Sequence, residues 1–280
     1  MARLDPERIF STHFPAIETA CDPKDAILYA LCCGAKWQQP GFVHENGLKI
    51  LPSFGQNLCY DDYWMDDAGV DLASLVHGGL DLRMTRPLQP DVPLTLKRSI
   101  AGLVDKGEGR AGMVLVKSEL VDKGEAIFTS LSNLFVLDGG GFGGSKGEGF
   151  DMVPKMEGEP DVVREVATHA DWPLYFRLLG DRNPLHVVPE VARKAGFKAP
   201  ILHGANTFGA VCHDLLQVFC DGDPARMKRF TARFSGPVYP GETLRVAYRR
   251  RDDRVEFSAR VVERDTPALD GGLGVIGDGT

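Results

Sequence analysis

The fold is decided by two similar stretches of sequence, RPLQPDVPLTL at residues 86–96 and GPVYPGETLRV at residues 236–246. Their leading prolines, Pro87 and Pro237, stand 150 positions apart, and a second proline and a leucine recur at matching offsets in both stretches. A recurrence of this kind is typical of an internal duplication. The sequence therefore predicts two related modules in one chain.

Strand patterns follow the proline motif in each half. Residues 112–120 and 126–137 in the first half, and residues 243–248 and 254–262 in the second, are rich in apolar and β-branched residues. Apolar residues also recur at helical spacing over residues 203–220, a stretch present only in the second half. We therefore predict an α+β fold in which each half is an antiparallel sheet associated with helix.

The middle of the chain holds a glycine-rich run, DGGGFGGSKGEG at residues 138–149. Three of its glycines, Gly139, Gly141 and Gly144, satisfy the pattern GxGxxG of dinucleotide-binding loops. Such a loop must open directly into an apolar helix, whereas the residues up to Pro160 are polar and interrupted by proline. The run is therefore interpreted as a linker rather than as a cofactor loop.

These patterns divide the chain into three segments. Residues 1–138 form the predicted N-terminal module, residues 139–160 the linker and residues 161–280 the C-terminal module. With 280 residues in all, each module has enough chain to bury a hydrophobic core.

Composition excludes several classes of protein. Hydrophobic residues make up 43% of the chain and charged residues 25%, which is typical of folded globular proteins and not of disordered ones. The 32 basic and 39 acidic residues give a net charge of -7, so the chain lacks the basic field of a nucleic-acid binder. No nucleic-acid partner is expected.

Cysteine usage indicates a reducing compartment. The six cysteines include no CxxC motif, so neither a zinc knuckle nor a redox motif is present in the sequence. No apolar stretch reaches membrane-spanning length, and the first eight residues carry acids and a proline where a secretory signal has an apolar run. The sequence therefore predicts a cytoplasmic protein with no membrane partner.

The segment GDRNPLH, which ends at His186, carries the first candidate chemistry. A helix predicted over residues 172–179 must end before Pro184, because proline lacks an amide proton and pushes the residue before it out of the helical conformation. Asp181, Asn183 and His186 therefore share one irregular turn, which can aim a carboxylate, an amide and an imidazole at one spot. Local capping hydrogen bonds explain these residue types as well, and on this segment alone both interpretations stay open.

A second feature lies at the start of the long predicted helix, in APILHGANTFG at residues 199–209. Gly204 begins the helix, so its amide proton points outward at the positive end of the helix dipole. Glycine also allows a thioester to approach the backbone closely. Gly204 is therefore a candidate donor to a developing oxyanion, and its combination with the turn favours an active site.

Together these motifs closely resemble the hydratase 2 family, the (R)-specific enoyl-CoA hydratases of the MaoC-like hot-dog superfamily. The residues that carry the resemblance are GDRNPLH at 180–186, PILHG at 200–204 and RFSGPVYPG at 233–241. In the first half, DAILYAL at 25–31 and LPSFG at 51–55 resemble the noncatalytic module of the two-module members. The resemblance implies a double hot-dog fold, with two antiparallel sheets, each associated with helix, forming a pseudo-dimer in one chain.

The resemblance also implies the roles of individual residues. Asp181 and His186 match the catalytic pair, and Asn183 matches an asparagine that helps to position the reacting groups. Gly204 matches the glycine whose amide binds the thioester oxygen. Four further residues match positions that contact the acyl-CoA: His77, Gly78, Lys106 and Phe234. No metal and no cofactor is implied, and the expected partners are an acyl-CoA thioester and a second copy of the chain in a homodimer.

The two modules have different tasks in this interpretation. The pattern Asp-x-Asn-Pro-x-His occurs in the second half and has no copy before residue 138. The resemblance therefore implies one active site per chain, with the first half covering the acyl chain. Two positions depart from the family's usual pattern: Leu179, where a small residue is common, and Val188, where an acidic residue is usual.

The predicted reaction is the reversible addition of water to a trans-2-enoyl-CoA, giving a (3R)-3-hydroxyacyl-CoA. Because the hot-dog fold also hosts acyl-CoA hydrolysis, a thioesterase is the alternative enzyme class. A noncatalytic acyl-CoA-binding protein is the third interpretation. Lys106 has an alternative of its own, since a lysine in a turn between strands is commonly an exposed surface residue.

Overall fold

The structure is a computed structural model that describes residues 3–61, 64–70 and 75–278. Residues 1–2 of the predicted N-terminal module and residues 279–280 of the predicted C-terminal module lie outside the described residues. Within the described ranges, no helix is both long enough and apolar enough to cross a bilayer.

One antiparallel sheet of eleven strands dominates the described part of the chain. The strands of the first half and the linker are β1 (Ile17–Thr19), β2 (Leu75–Met84), β3 (Leu94–Asp105), β4 (Gly112–Asp122), β5 (Glu125–Val136) and β6 (Lys146–Gly147). Those of the second half are β7 (Val162–Ala167), β8 (Met227–Phe234), β9 (Thr243–Arg251), β10 (Arg254–Val261) and β11 (Thr266–Ile276). The four strands predicted from the sequence are β4, β5, β9 and β10, so each of them is confirmed.

The order of the strands shows the duplication. It reads β1-β3-β4-β5-β2-β8-β11-β10-β9-β7, with β6 paired to β3 at the side. Each strand of the first half therefore has a counterpart at the same distance from the centre, where β2 pairs with β8. The two proline motifs lead into the counterpart strands β3 and β9. The predicted α+β double hot-dog, two related sheets in one chain, is confirmed.

Helices pack on this sheet and join the two halves in one core. They are α1 (Pro6–Phe10), α2 (Pro23–Cys32), α3 (Pro40–Val43), α4 (Phe54–Leu58), α5 (Trp64–Asp67), α6 (Trp172–Phe176), α7 (Pro189–Lys194) and α8 (Gly204–Phe219). The largest hydrophobic cluster includes Tyr29 and Phe54 from the first half and Phe208 and Phe230 from the second. Helix α8 contacts both α2 and α4, so the core is continuous across the two modules.

Helix α8 confirms the helix predicted over residues 203–220. Eleven of its residues are buried, and it packs against β7, β8 and β11. Among the described residues of the first half, the chain before β2 contains the short helices α4 and α5 in place of one long helix. The two halves therefore differ in the length of the helix that precedes the central strand.

The glycine-rich run encloses a carboxylate of its own chain. Asp105, at the end of β3, accepts hydrogen bonds from the amides of Gly107, Gly141, Gly143 and Gly144 at 2.7–3.0 Å. These amides are the groups that a dinucleotide-binding loop would offer to a phosphate. The loop is therefore occupied by an internal anion, which supports the interpretation of this run as a connection between modules.

Asp105 supplies a test of this loop. The backbone amides, chiefly that of Gly144, lower the pKa of Asp105 to about 2, from a usual value of about 3.9. A lowered pKa means that the carboxylate stabilises the fold above about pH 4 and that this contribution is lost as the pH falls towards 2. We expect the melting temperature of the unmodified chain to fall more steeply over that range than that of Asp105→Asn. Equal slopes in a pH series of thermal unfolding would contradict the assignment.

Candidate active site

The catalytic candidates lie in a turn that follows α6. A single 3-10 turn, Arg177–Leu179, continues this helix, and Gly180 then leaves the helical path with φ +129°. That backbone conformation strongly favours glycine. Pro184 begins a second 3-10 turn that ends at His186, where its fixed φ and missing amide proton fit the first position. The predicted helix and its end are confirmed.

Local hydrogen bonds shape this turn. The Asp181 carboxylate accepts from the Asn183 amide at 3.1 Å, and the Asn183 side-chain oxygen accepts from the Leu185 amide at 3.0 Å. The local hydrogen bonds of the capping interpretation are therefore present. The same bonds bring the Asp181 carboxylate towards the His186 ring, so the local role and a chemical role are compatible. The Asn183 oxygen acts on the backbone of the turn.

His186 is held in one tautomer. Its Nδ1 lies 2.9 Å from the carbonyl oxygen of Ile201, and because a carbonyl only accepts, Nδ1 carries the proton. In the neutral ring Nε2 is therefore a hydrogen-bond acceptor. Burial lowers the pKa of His186, against the opposing effects of the Asp181 charge and the Ile201 carbonyl. The residue is thus a neutral imidazole with a free lone pair on Nε2.

His203 lies against the candidate pair, although no sequence pattern indicated a role for it. Its ring stacks on that of His186 with centroids 3.7 Å apart, and its other neighbour is the ring of Phe176 at 4.7 Å. Its Nε2 donates to the backbone carbonyl of Asp181 at 3.2 Å. Burial, with smaller effects from His186 and Arg177, lowers the pKa of His203 to about 2, so this ring is a neutral support for the turn.

These three residues form the one group in the described chain that has the composition of a metal site. A carboxylate oxygen of Asp181 and one ring nitrogen each of His186 and His203 lie within 4.8 Å of one another. However, the imidazoles are stacked with an angle of 27° between their planes. Ring nitrogens bind a metal along lone pairs in the ring plane, and two nearly parallel rings at this spacing cannot both direct such lone pairs at one ion. The geometry favours a catalytic pair with a supporting imidazole.

Gly204 lies where the sequence predicts it, at the first position of α8. The first amides of a helix have no acceptor within that helix, so the Gly204 amide is available to an external oxygen. A side chain at this position would place its Cβ 3.3 Å from the ring of Phe234. The absence of a side chain therefore keeps the space between this amide and Phe234 open.

Three residues of the first half are predicted to contact acyl-CoA, and a series of contacts connects them to Phe234: His77, Gly78 and Lys106. The His77 ring lies 5.2 Å from that of Phe234, and burial lowers the pKa of His77 to about 4. The neighbouring Gly78 lies against the ring of Phe135, which a Cβ would approach to 2.2 Å. Lys106 places its ammonium 5.0 Å from the centre of the same ring. A line of contacts thus runs from Phe234 to Lys106.

A residue of the first half is also bound to the turn that carries the catalytic candidates. The side-chain amide of Asn57, in α4, donates to the carbonyl oxygen of Leu179 at 2.8 Å. Leu179 itself is buried in the common core, which accounts for an apolar residue at this position. No sequence pattern pointed to Asn57, because the hydrogen bond joins residues from the two different modules.

Comparisons with known proteins identify the family of the chain. A family model described as "MFE-2 hydratase 2 N-terminal domain" matches residues 20–138, and one described as "MaoC like domain" matches residues 151–271. The chain is 30% identical to the probable enoyl-CoA hydratase 2 of Dictyostelium discoideum, over 98% of this chain and 97% of that protein. The chain belongs to the enoyl-CoA hydratase 2 family.

Two solved structures give the same result for the fold of this hydratase 2 chain. A MaoC-like dehydratase from Phytophthora capsici matches with a TM-score of 0.87 and 27% identity, over 98% of both chains. Full-length peroxisomal multifunctional enzyme type 2 from Drosophila melanogaster matches with a TM-score of 0.80 and 29% identity. The match covers 94% of this chain but 48% of that one, so the hydratase 2 chain corresponds to about half of the multifunctional enzyme.

The protonation of His186 can be measured directly. Because burial opposes the charged ring, we expect His186 to titrate below its usual value of about 6.5 and to remain neutral at that pH. Imidazole carbon resonances followed by NMR over a pH series report the midpoint. The variant His186→Gln assigns the signal by its disappearance. A midpoint at or above 6.5 would show that the ring is charged where the structure requires a lone pair on Nε2.

Proposed function

We propose that the protein is an (R)-specific 2-enoyl-CoA hydratase, which reversibly adds water to a trans-2-enoyl-CoA to give a (3R)-3-hydroxyacyl-CoA. One observation carries the proposal. The Asp181 carboxylate and the His186 ring lie together with His203, the residue that directly precedes the first amide of α8 at Gly204. Two groups that hold water beside a donor for a thioester oxygen are what this reaction needs. The family to which the chain belongs supports the same activity.

In the proposed reaction, water lies between the Asp181 carboxylate and His186 Nε2 and donates a hydrogen bond to each. Asp181 takes one proton as the water oxygen bonds to C3 of the substrate. The electron pair of the C2–C3 double bond moves towards the thioester, and the resulting enolate oxygen accepts a hydrogen bond from the Gly204 amide. That amide stabilises the charge where it develops, which is the requirement for lowering the barrier.

The second proton transfer follows from the tautomer of His186. C2 of the enolate needs one proton, and the water has released one. Asp181 and His186 therefore end the cycle in the protonation states in which they began it. Because Nδ1 is bound to the Ile201 carbonyl, His186 delivers a proton from Nε2, and only after Nε2 has received it. In the proposed cycle the proton taken by Asp181 returns to C2 through this pair. The two hydrogens of water then end on the C3 oxygen and on C2.

The line of contacts from Phe234 to Lys106 supports a direction for the substrate. We place the thioester at Gly204 and Phe234, and the CoA portion past His77 and Gly78 towards Lys106. In this arrangement the C-terminal module, residues 161–280, performs the chemistry, and the N-terminal module, residues 1–138, binds the acyl-CoA. The boundaries at residues 139–160 are part of the proposal.

We further propose a cytoplasmic homodimer. All six cysteines are buried and free, and burial raises the pKa of Cys32 to about 12, which fits unreactive thiols in a reducing compartment. Three leucines on adjoining elements have side chains that are 45–63% exposed: Leu31, Leu174 and Leu178. Exposed apolar groups of this kind support an interface with a second copy.

A parallel assay tests the reaction. The protein is incubated with a trans-2-enoyl-CoA and with the saturated acyl-CoA of the same length, while enoyl absorbance and free thiol are followed. Loss of absorbance without thiol, with a product of (3R) configuration, is the expected result. Thiol released from the saturated substrate would assign a thioesterase instead, and tight binding without turnover would assign a noncatalytic acyl-CoA-binding protein.

The catalytic pair supplies a sharper prediction. Asp181→Asn and His186→Gln keep most of the shape of each side chain but remove the group that takes or passes the proton. Each variant should lower kcat by about two orders of magnitude or more, with acyl-CoA binding largely kept. Steady-state kinetics with direct binding measurements test this. Near-normal turnover in either variant would refute the assignment of the pair.

The charge of Lys106 provides a test of its proposed contact with the CoA portion. If its ammonium contacts the CoA portion, Lys106→Ala raises KM at low salt and leaves kcat unchanged once substrate saturates. The difference should shrink at high ionic strength because salt screens the contact. The exposed Lys97, in the same strand region, supplies the matched control as Lys97→Ala. An unchanged KM for Lys106→Ala at low salt would leave Lys106 as a surface residue packed on Phe135.

A further inference from the structure

The turn that carries the proposed catalytic pair is bound to the first half at a backbone carbonyl. The side-chain amide of Asn57, in α4, donates to the carbonyl oxygen of Leu179 at 2.8 Å. Leu179 ends the 3-10 turn after α6 and stands one residue before Gly180 and two before Asp181. A hydrogen bond from the N-terminal module therefore reaches the backbone that carries the Asp181 carboxylate.

The bend at Gly180 depends on bonds of this kind. Among the described residues, no heavy atom outside its chain neighbours lies within 4 Å of the place where a Cβ of Gly180 would be, so no packing supports that side of the bend. After the bend, the Asp181 carbonyl oxygen accepts a hydrogen bond from His203 Nε2 at 3.2 Å. The backbone is thus held by a side-chain donor on either side of Gly180, and the donor before it is Asn57.

Helix α4 has a second connection to the site, through a series of ring contacts. The Phe54 ring of α4 has its centre 5.4 Å from that of Tyr29 in α2, and Tyr29 lies 5.8 Å from Phe176 in α6. Phe176 lies 4.7 Å from His203, which stacks on His186. The first three rings are completely buried, so close packing fixes their positions. The position of the His186 ring is therefore set by packing that begins on α4.

We propose that Asn57 is a positioning residue for the hydration reaction. Helix α4 then holds both members of the pair, His186 through the ring contacts and Asp181 through the bond to Leu179. The bond keeps the Asp181 carboxylate at the distance from His186 at which both groups hold one water molecule. The inference rests on the proposed function, and it gives the N-terminal module a part in the chemistry in addition to the binding of acyl-CoA.

A second hydrogen bond between the modules provides a matched control. The Lys49 ammonium donates to the carbonyl oxygen of Gly222 at 3.3 Å. Gly222 follows the C-terminal end of α8, whereas Gly204 and the proposed site lie at its N-terminal end. Lys49→Met therefore removes a bond of the same kind, from a first-half side chain to a second-half carbonyl, away from the site.

The test measures the rate of a single turnover of a trans-2-enoyl-CoA with enzyme in excess, which separates the chemical step from product release. Asn57→Leu keeps the approximate size of the side chain but removes the donor. The rate should fall by about tenfold, the magnitude of one hydrogen bond, while the dissociation constant for the saturated acyl-CoA stays unchanged. Lys49→Met should change neither quantity. An unchanged rate in Asn57→Leu, or an equal fall in Lys49→Met, would overturn the proposal.

A double-mutant cycle tests whether Asn57 acts through Asp181. In the Asp181→Asn background no carboxylate remains to be positioned, so adding Asn57→Leu should lower the residual rate by less than about twofold. Residues that act through one another are not additive in this way, whereas a general structural effect is additive. A further tenfold fall in the double variant would contradict the proposal.

A second substitution covers the case in which Asn57→Leu fails to fold. Asn57 is half-buried, so Asn57→Ala removes the donor without forcing an apolar branch into the boundary between the modules. The same fall of about tenfold in the single-turnover rate is expected. A rate equal to that of the unmodified chain would refute the role of Asn57.

If the chain hydrates no enoyl-CoA at all, the proposed function fails, and amide hydrogen exchange decides the positioning separately. The Asn183 amide is bound to the Asp181 carboxylate, so its exchange rate reports how firmly that carboxylate is held. Exchange that is faster by about tenfold in Asn57→Leu and unchanged in Lys49→Met supports the inference. An unchanged rate in Asn57→Leu refutes it.

Discussion

The pairing of β2 with β8 is the interaction on which the rest of the structure depends. It joins two duplicated sheets edge to edge, with Leu80 opposite Ala232. Across this seam the buried Asp81 carboxylate accepts two hydrogen bonds from the Arg229 guanidinium, at 2.8 and 2.9 Å. A buried ion pair adds little net stability, but removing one partner leaves an uncompensated charge at a cost of about 3–5 kcal/mol. The pair therefore penalises other registers of the two halves.

The site is a product of this seam. His77 in β2 contacts Phe234 in β8 because their strands are neighbours, and Phe234 in turn faces Gly204 at the start of α8. The two duplicated halves differ in the helices beside this seam. Within the described residues, the second half has the sixteen-residue helix α8 before β8, whereas the first half has the short helices α4 and α5 before β2. The first half also contacts the turn of the second half, through the hydrogen bond from Asn57 to the Leu179 carbonyl.

Much of the fold was predictable, for reasons that particular elements show. β4, β5, β9, β10 and α8 have apolar patterns of their own, and the proline motifs revealed the duplication. β2 and β8 escaped prediction because their sequences contain glycines or charges, LVHGGLDLRM and MKRFTARF. Two of those charges, Asp81 and Arg229, pair with each other across the seam, and no pattern within a single strand contains that information. The glycine-rich run was likewise predicted as a linker, but no local pattern indicated that its amides bind the Asp105 carboxylate.

The sequence by itself determined the duplication, the α+β class and the turn that carries Asp181 and His186, because these depend on residues close together in the chain. Proline and glycine act on the backbone next to them, and helical or strand periodicity is a local property. Only the tertiary structure decided that His203 stacks on His186, that the Ile201 carbonyl selects the tautomer of His186, and that Asn57 binds the turn at Leu179. These contacts join residues 15 to more than 100 positions apart, and their partners are brought together only when both sheets close on one core.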